Sequence, residues 1–595
     1  MNLLININSL VVLDPFALFF LTVILLISFP ALVYSLGYLQ PKYSGAKLLT
    51  TQLTTVAFIL SMALLVIVGN ALVFLIVWEL MTLLSYLLIL TDSESDAAVN
   101  AASLYIIMTH CGTAFLTAAI FLIYRHSGSF DLPAMAAACQ TMSPLLRNTL
   151  FFFFLIGFGT KAGVVPLHLW LPYAHPQAPS HISSLMSGVM IKTALYGLIR
   201  FVFLVLGISS LWWGITVLTL GIISALIGII YALMDKQLKR LLAYSSVENI
   251  GLILLGIGLA MILTRLNLPG LAALALTAAL YHLLNHAVFK GLLFLCAGSV
   301  QKGTGTLNLE KLGGLIKTMP WTAGFFLVGA MGISALPPLN GFVSEWLLLQ
   351  ALFTGGQSVP GLPALYLALA AAAIALTGGL TAACFVKAFG ITFLALPRSQ
   401  EAAEAREAPR TMIFGMAFLA AAVVCLGLLG PTVFNVLATV AGSICRAAPP
   451  PAAFLSSDLT ICFVLALGSG LAIGHFSNGQ KVRVGRTWAC GYYETGSRNE
   501  YTATAFSKPF RIAFSFFLLP FRKTEKVKDS FYHVKSFVYE TYTTKIFKEY
   551  LYDAGLGLVL RGARFFKRAQ AGSIHLYLSY ILATLVLLAL LVRAF

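Results

Sequence analysis

The sequence predicts an all-α polytopic membrane protein, with about fourteen transmembrane helices. Of its 595 residues, 59% are hydrophobic and 10% are charged, whereas a soluble domain is roughly half apolar and a quarter charged. The apolar runs reach the roughly 20 residues that a helix needs to cross about 30 Å of hydrocarbon. They do not alternate apolar and polar residues as barrel strands do, so the spans are predicted to be helices.

The predicted spans follow the apolar runs along the chain. They cover 14–39, 47–68, 70–91, 98–124, 147–165, 180–206, 211–234, 241–264, 270–300, 321–352, 362–396, 411–441, 455–476 and 573–593. The first twenty residues contain neither the basic region nor the small-residue cleavage site of a secretory signal. We therefore expect no cleaved leader.

Basic residues are concentrated in the loops on one side of the predicted membrane. Those loops contain Lys42, Lys47, DKQLKR (235–240), residues 301–317 and residues 477–572. Because basic loops stay in the cytoplasm, this side is predicted to be cytoplasmic and both termini to lie outside. Residues 497–571 hold 14 Lys or Arg against 6 Asp or Glu, so the net charge of +17 indicates orientation and not nucleic-acid binding.

Residues 522–568 mix basic residues with aromatic and aliphatic ones and never run apolar for long. This pattern favours an amphipathic helix lying along the membrane or along a partner's surface. A solvated connector is the alternative.

The eight cysteines are scattered along the chain without a CxxC pair. They are Cys111, Cys139, Cys296, Cys384, Cys425, Cys445, Cys462 and Cys490. This spacing argues against a disulfide framework, an iron–sulfur cluster or a nickel site on this chain. Any redox chemistry is therefore expected on a partner.

Ionisable residues inside the predicted spans are the candidate functional groups, because each costs about 2.5–3.5 kcal/mol at the membrane centre. They are Glu79, Lys161, Lys192, His282, His286, Lys290, Glu345 and Lys387. Alternatives stay open at this point. Glu79 could form a structural pair with a lysine, Lys161 and Lys192 could serve packing alone, and Lys387 could snorkel to the cytoplasmic surface.

Helix breakers accompany two of these charges. Gly163 and Pro166 follow Lys161, and Pro337 and Pro338 precede Glu345. Paired interrupted helices are typical of transporter sites, since a break frees backbone groups and admits water beside a buried charge.

The stretch YHLLNHAVFKGLLF (281–294) carries its three ionisable residues at four-residue intervals. This spacing places His282, His286 and Lys290 on one helical face, about 6 Å apart along the axis. A zincin would need Glu directly after the first His, where this chain has Leu283. We therefore expect no metal and interpret the series as a proton relay. The remaining histidines near span ends (His110, His168, His175 and His181) are interpreted as satisfied structural residues.

Several long motifs resemble one membrane-protein family. They are GFGTKAGVVPLHLWLPYAHPQAPSHISSLMSGVMIKTALYG (157–197), DKQLKRLLAYSSVENIGLILL (235–255), YHLLNHAVFKGLLFLCAGSV (281–300) and ISALPPLNGFVSEW (333–346). They are similar to the antiporter-like subunits shared by respiratory complex I, Mrp cation/proton antiporters and membrane-bound hydrogenases.

Further motifs resemble one branch of that family, which contains hydrogenase 4 component B and formate hydrogenlyase subunit 3. These motifs are SVENIG (246–251), NLEKLGGLIKTMPWTA (308–323), TGGLTAACFVKAFGITF (377–393) and WACGY with YTATAFSKPFR (488–511).

The resemblance implies two inverted five-helix repeats, each with a broken helix, and a chain of charged residues along the membrane plane. Glu79 matches the family's intramembrane glutamate, Lys161 the lysine of the first broken helix, and Lys192 the linking lysine. His282, His286 and Lys290 match the central series, and Glu345 matches the terminal ionisable residue.

The expected organisation divides the chain at the edges of these repeats. It comprises an N-terminal span (1–46), the first repeat (47–206), the second repeat (207–396), additional spans (397–476), a basic segment with a lateral helix (477–572) and a terminal span (573–595). Family members usually have two more spans before LDPFALFF, so packing at that end is expected to differ.

The resemblance implies a proton- or sodium-translocating subunit in the cytoplasmic membrane of a bacterium or archaeon. Nickel–iron and iron–sulfur centres would lie on a peripheral hydrogenase arm, and this chain, itself without a cofactor, would contact other membrane subunits and the lipid bilayer. An Mrp-type or complex I antiporter-like subunit is the first alternative. A structural membrane anchor is the second.

Overall fold

The computed structural model of the chain describes residues 10–40, 42–447, 457–477, 495–528 and 534–569, with short pieces between 485 and 492 and between 574 and 584. It divides into two units, Met1–Pro509 and Phe510–Phe595. The first unit is a helical bundle, and the second combines a two-stranded sheet with a helix.

The first half of the bundle contains helices on both sides of the first predicted break. They are α1 (Pro15–Leu39), α2 (Gly45–Ile67), α3 (Ala71–Ile89), α4 (Asp96–Ser127), α5 (Leu132–Thr141), α6 (Pro144–Ala162), α7 (Leu171–Gln177), α8 (Ser180–Leu185), a π-helical turn (Met186–Met190), α9 (Ile191–Ile199) and a second π-helical segment (Arg200–Leu206). Asp14 begins α1: its carboxylate accepts the Ala17 amide at 2.8 Å, and Pro15 follows at the position where proline is favoured.

The second half of the bundle is built in the same way. It contains α10 (Leu211–Met234), α11 (Leu238–Arg265), α12 (Pro269–Thr304), α13 (Pro320–Ile333), α14 (Asn340–Ser358), α15 (Leu362–Phe393), α16 (Gln400–Ala403), α17 (Arg410–Leu428), α18 (Gly430–Cys445), α19 (Ser457–Ser477) and α20 (Ala503–Ala513), the last of which ends beyond the boundary between the units.

Ten of the described helices are long and apolar enough to cross a membrane, so the prediction of fourteen spans is not confirmed. Each predicted broken helix is present as two separate helices, α6 and α7 at the first break and α13 and α14 at the second. The prediction of a single helix over 411–441 is wrong. Helix α17 ends at Leu428, and α18 begins at Gly430, which Pro431 follows. The predicted terminal span 573–593 lies mostly outside the described residues.

The centre of the bundle is formed by α11 and α12. The most apolar stretch of α12 is entirely buried, and that of α11 is 94% buried. Helix α10 packs against α11 through glycines: a Cβ on Gly251 would lie 2.4 Å from the Ala225 nitrogen and 2.5 Å from the Gly221 oxygen. Small residues allow such close backbone approach between membrane helices. On another face, polar residues of α11 contact those of α12, as in the pair Asn249 and His282.

The second unit corrects the prediction of a helix through 522–568. After α21 (Ser515–Leu518), strands β1 (Pro520–Lys528) and β2 (Val534–Thr543) pair antiparallel, with Phe521 opposite Tyr542 and their rings stacked at 5.3 Å. The segment is rich in aromatic and β-branched residues, which favour strands. Helical structure follows only from Phe547–Tyr552 into α22 (Asp553–Ala569).

Candidate functional site

The first helix break ends α6 directly after Lys161. Gly163 adopts φ +80°, and a Cβ there would lie 2.3 Å from Leu171 Cδ1, so the position requires glycine. Two side chains satisfy backbone groups that the break frees: Ser224 accepts the Val165 amide at 3.0 Å, and Trp170 Nε1 donates to the Thr160 carbonyl at 2.8 Å. Irregular backbone at membrane depth needs such partners.

Lys161 is 1% exposed and sits between two hydroxyls. Its ammonium donates to Thr82 Oγ1 at 2.8 Å and to the Tyr105 hydroxyl at 2.6 Å. It also lies 5.8 Å from the centre of the Trp78 ring. A buried ammonium requires donors to be satisfied in this way, and hydroxyls can both accept and donate a proton.

Glu79 does not form the lysine pair considered from the sequence. Its Oε2 lies 3.3 Å from His110 Nε2, and the two side chains are 29% and 50% exposed. Its other carboxylate oxygen is buried without a hydrogen-bond partner among the described residues. Glu79 and Lys161 interact only at longer range. His110, interpreted from the sequence as structural, is therefore the partner of the intramembrane carboxylate.

Lys192 lies in the first turn of α9, just after the π-helical turn. Its ammonium donates to the Ser187 carbonyl within that turn, and Ser187 Oγ lies 2.8 Å from Ser246 Oγ of α11. The widened turn leaves this carbonyl available, as π-bulges do at functional sites. Ser246 is next to Ser245, which accepts a hydrogen bond from Lys290, so the predicted series continues from α9 into the centre of the bundle.

The predicted ladder on α12 is buried and connects to two neighbouring helices. His282 Nδ1 lies 3.0 Å from Ser344 Oγ of α14, and its Nε2 lies 3.2 Å from Asn249 Oδ1 of α11. Lys290 donates to the Leu242 carbonyl at 2.9 Å and to the Ser245 hydroxyl. Neither ring nitrogen of His286 has a hydrogen-bond partner within the described part of the chain.

The second break joins α13 to α14 and contains Pro337 and Pro338. Asn285 of α12 donates from Nδ2 to the Asn340 carbonyl at 2.6 Å and to Ser344 Oγ at 3.0 Å. Glu345 lies in the first turns of α14, where its Oε2 is 3.6 Å from the position of a Cβ on Gly378 of α15. The ladder and the second break therefore share one polar layer.

Glu248 is a functional candidate that was missed from the sequence. It is 2% exposed, accepts a 2.5 Å hydrogen bond from the Thr381 hydroxyl and accepts another from Asn249 Nδ2 at 3.2 Å. It interacts electrostatically with Lys290 and with Glu345. Glu248 lies inside the predicted span 241–264, so the rule that selected the other intramembrane charges also applies to it.

A second group missed from the sequence lies at the start of α11. Lys239 is 1% exposed, and its ammonium donates to the Ala178 carbonyl at 2.9 Å. His175 and His181 are fully buried, and none of their four ring nitrogens has a hydrogen-bond partner among the described residues. The interpretation of these two histidines as satisfied structural residues is therefore wrong.

Lys387 is 1% exposed, which excludes the snorkelling alternative. Its ammonium donates to the Leu233 carbonyl at 2.6 Å and to the Asp235 carbonyl at 2.8 Å. These carbonyls end α10, where a helix leaves acceptors unsatisfied and favours a cation. The contact is that of a helix cap.

The arrangement as a whole is a series of ionisable groups, most of them buried, and not one cluster. Within the described residues, no group of three or more His, Cys, Asp and Glu side chains is placed to hold a metal ion. Acidic and basic side chains linked by hydroxyl groups are suited to moving a proton or cation in steps. The fold and the series together define a class, the antiporter-like membrane subunits.

Comparison with known proteins gives the family. Residues 68–360 match the family described as NADH:quinone oxidoreductase/Mrp antiporter, transmembrane. Hydrogenase-4 component B of Escherichia coli K12 is 38% identical over 97% of this chain and 88% of its own. Formate hydrogenlyase subunit 3 of the same organism is 36% identical over 76% of this chain and 72% of its own. The chain belongs to this family of antiporter-like membrane subunits.

A solved structure shares the fold. It is the membrane-bound sulfane sulfur reductase, an archaeal respiratory membrane complex, one chain of which superposes with a TM-score of 0.79 at 22% identity over 97% of this chain and 89% of that one. The predicted fold class and the resemblance to the hydrogenase 4 branch are confirmed.

Proposed function

We propose that this chain translocates protons, or sodium ions, as a membrane subunit of an energy-converting hydrogenase or formate hydrogenlyase-type complex. Redox chemistry in a peripheral arm, which would carry the nickel–iron and iron–sulfur centres, drives the transport. The chain lies in the cytoplasmic membrane of a bacterium or archaeon with both termini outside, in contact with further membrane subunits. The two relatives named above, both described as hydrogenase or formate hydrogenlyase components, support this assignment.

The observation that carries the proposal is the series of ionisable groups within the spans, of which Lys161, Lys192 and the α12 ladder are buried. It begins at Glu79 and Lys161, continues through Lys192 to the α12 ladder, and ends at Glu345. Keeping each of these groups in the membrane is costly, so a packing role alone does not account for them. Glu248 joins the series through Lys290 and Glu345.

Protonation changes move along this series in the proposed mechanism. Loss of a proton from Lys161 leaves a neutral amine that can accept from Tyr105 or Thr82, and the gain of a proton restores the ammonium. The positive charge on Lys161 interacts with Glu79 at longer range. Loss or gain of that charge therefore changes the electrostatic stabilisation of the Glu79 carboxylate. The arm imposes a direction by changing the charge near one end of the series. In this mechanism Lys387 does not carry ions; its ammonium binds the carbonyls at the end of α10.

The test is redox-driven ion transport in inverted membrane vesicles from cells that express the chain with its complex. Lys161→Met is expected to abolish acidification of the vesicle lumen while electron transfer continues. Lys317→Met, which removes an exposed lysine, is the matched control and is expected to transport normally. Undiminished acidification with Lys161→Met would refute the proposal.

An Mrp-type antiporter is the second candidate, because the matched family description includes these antiporters. It differs in needing no redox partner. Isolation of the complex and identification of its subunits separates the two: a hydrogenase large subunit supports the first, and a set of small Mrp subunits supports the second.

A further inference from the structure

An apolar groove runs along the outside of the bundle between α13 and α15. It has a volume of about 230 Å³ and is lined by residues of both helices and of the second break, among them Leu327, Leu336, Phe389 and Leu394. Its outer wall is open, since Val386 is 62% exposed. A second cavity of about 220 Å³ continues it and shares Val386 and Gly390 with it.

The length of the groove is close to the thickness of one membrane leaflet. On α15 it extends from Ala382 to Leu394, which is about 18 Å along the helix axis. Half of the hydrocarbon thickness is about 15 Å. Its inner end reaches the break between α13 and α14, and its outer end lies at the side predicted to be cytoplasmic. This length is that of one acyl chain and about half that of a helix crossing the membrane.

The lining of the groove also favours an acyl chain. A flexible hydrocarbon chain fits a narrow apolar space, and every lining position from Leu327 to Leu394 except Ser334 is apolar or glycine.

The outer end of the groove is polar and carries a net positive charge. The continuing cavity is lined by Lys387, Arg398 and one carboxylate, Glu500. Arg398 donates to the Leu312 and Ile391 carbonyls at 2.6 and 2.9 Å, to the Tyr501 carbonyl at 3.3 Å and to the Glu500 carboxylate at 3.4 Å. Its side chain is 6% exposed, and its Nε has no partner among the described residues.

The same end has the features of the membrane interface. Tyr501 lines the cavity and is 65% exposed, and tyrosines are enriched at the level of the lipid headgroups. Basic pockets between helices on the cytoplasmic side bind anionic lipid headgroups. The apolar length of the groove, its polar end and the charge at that end therefore match a lipid with an anionic headgroup.

We propose that this groove binds one phospholipid of the cytoplasmic leaflet, with an acyl chain between α13 and α15 and the phosphate beside Arg398. The acyl chain would cover the outer face of Phe385, whose ring lies 5.8 Å from the Lys290 ammonium. It would thereby keep water away from this flank of the buried series. Only that sealing role rests on the proposed function; binding of the lipid does not.

Two glycines of α15 provide a matched pair of variants. A Cβ on Gly390 would meet nothing within 4 Å, and Gly390 lines both the groove and its continuation. A larger side chain at this position therefore has room at its Cβ and extends into the groove. Gly379 also has open space at its Cβ and lies about three turns away on the same helical face, but it lies outside the groove.

The experiment measures tightly held phospholipid in the complex purified with the full-length chain, by organic phosphate and native mass spectrometry. Gly390→Phe is expected to lose one phospholipid per chain, and Gly379→Phe to retain the wild-type number. Val386→Trp is a second groove variant should Gly390→Phe not assemble, and it is expected to lose the same lipid. Retention of the wild-type number in an assembled groove variant would overturn the proposal.

The headgroup is tested on delipidated wild-type complex with phosphatidylglycerol and with diacylglycerol of the same acyl chains. Phosphatidylglycerol is expected to restore the lost mass and diacylglycerol not to restore it. Equal recovery with both would overturn the phosphate contact. Because neither measurement involves an ion gradient, a negative result here is separate from a failure of the proposed function.

Discussion

Glu79 Oε2 lies 3.3 Å from His110 Nε2, and the Lys161 ammonium forms its hydrogen bonds with Thr82 and Tyr105 instead. The intramembrane carboxylate is thus paired with a titratable ring on α4, and the lysine is held by hydroxyls. Proton movement can alter either pair without breaking a direct Glu–Lys bond. This arrangement makes His110 part of the candidate site.

We predict that His110 and Glu79 act as a unit in transport. His110 Nε2 lies within ion-pair distance of Glu79 Oε2, so His110→Ala removes the nearest titratable group to this carboxylate and is expected to lower the transport rate. Glu79→Gln is expected to lower it further, and the double variant to equal Glu79→Gln alone. The measurement is the initial rate of redox-driven acidification in inverted vesicles. Additive losses would show that the two residues act independently.

Glu248 is predicted to be required for transport through its bond with Thr381. Glu248→Gln is expected to abolish redox-driven transport in an assembled complex. Thr381→Val is expected to reduce it about ten-fold, because it removes a hydrogen bond to a charged group. Thr377→Val is the matched control, since the Thr377 hydroxyl donates to the Ala373 carbonyl of its own helix. Equal effects of the two threonine variants would contradict the prediction.

Composition and periodicity were sufficient for the helical bundle, the two breaks and the ladder. The positions of Gly163 and of Pro337–Pro338 are read directly from residue type, since glycine and proline act locally. The four-residue spacing of His282, His286 and Lys290 needs only the geometry of one helix. These features depend on short-range chemistry, which a single sequence contains.

Partners that come from distant helices could not be predicted in the same way. The contact of Glu79 with His110 and that of Lys387 with the end of α10 depend on how helices pack. Lys239 was assigned to a loop because the predicted span began at 241, whereas α11 begins at Leu238. The hairpin in 520–543 was missed because the alternation of aromatic and basic residues was interpreted as an amphipathic helix, although such alternation also suits a strand.

Lys387 is predicted to stabilise the fold without carrying ions. Lys387→Met removes the donor to the Asp235 carbonyl, whereas the Leu233 carbonyl still accepts the Ser507 hydroxyl at 2.6 Å. An unsatisfied buried polar group costs about 1–3 kcal/mol. We expect a lower thermal unfolding midpoint of the purified chain, with the transport rate per assembled complex retained. Tm and vesicle acidification are measured side by side. A loss of transport at an unchanged Tm would instead assign Lys387 to the ion path, as the sequence predicts.

Asp14 is predicted to make the stability of the bundle depend on pH in the acidic range. Its carboxylate accepts two hydrogen bonds from Arg200, at 2.5 and 2.9 Å, and one from the Ala17 amide at 2.8 Å. Partial burial opposes ionisation, but the bonds from Arg200 and Ala17 outweigh it, so the pKa of Asp14 lies below its usual value. The ionised form is therefore the one that the folded state favours.

Because the folded-state pKa is lowered, the stabilisation is complete above the unfolded value of about 3.9 and is lost as pH falls through the folded value. Asp14→Asn keeps a good helix-capping residue and removes only the charge. We expect it to lower Tm at pH 7, with the difference from wild type shrinking below about pH 4. Asp131→Asn, at the N-cap of α5 where Asn70 donates to Asp131 Oδ1 at 3.0 Å, is the control. Thermal unfolding in detergent between about pH 3 and pH 7 measures both, and a Tm difference for Asp14→Asn that persists at the lowest pH would rule out the ionic link to Arg200.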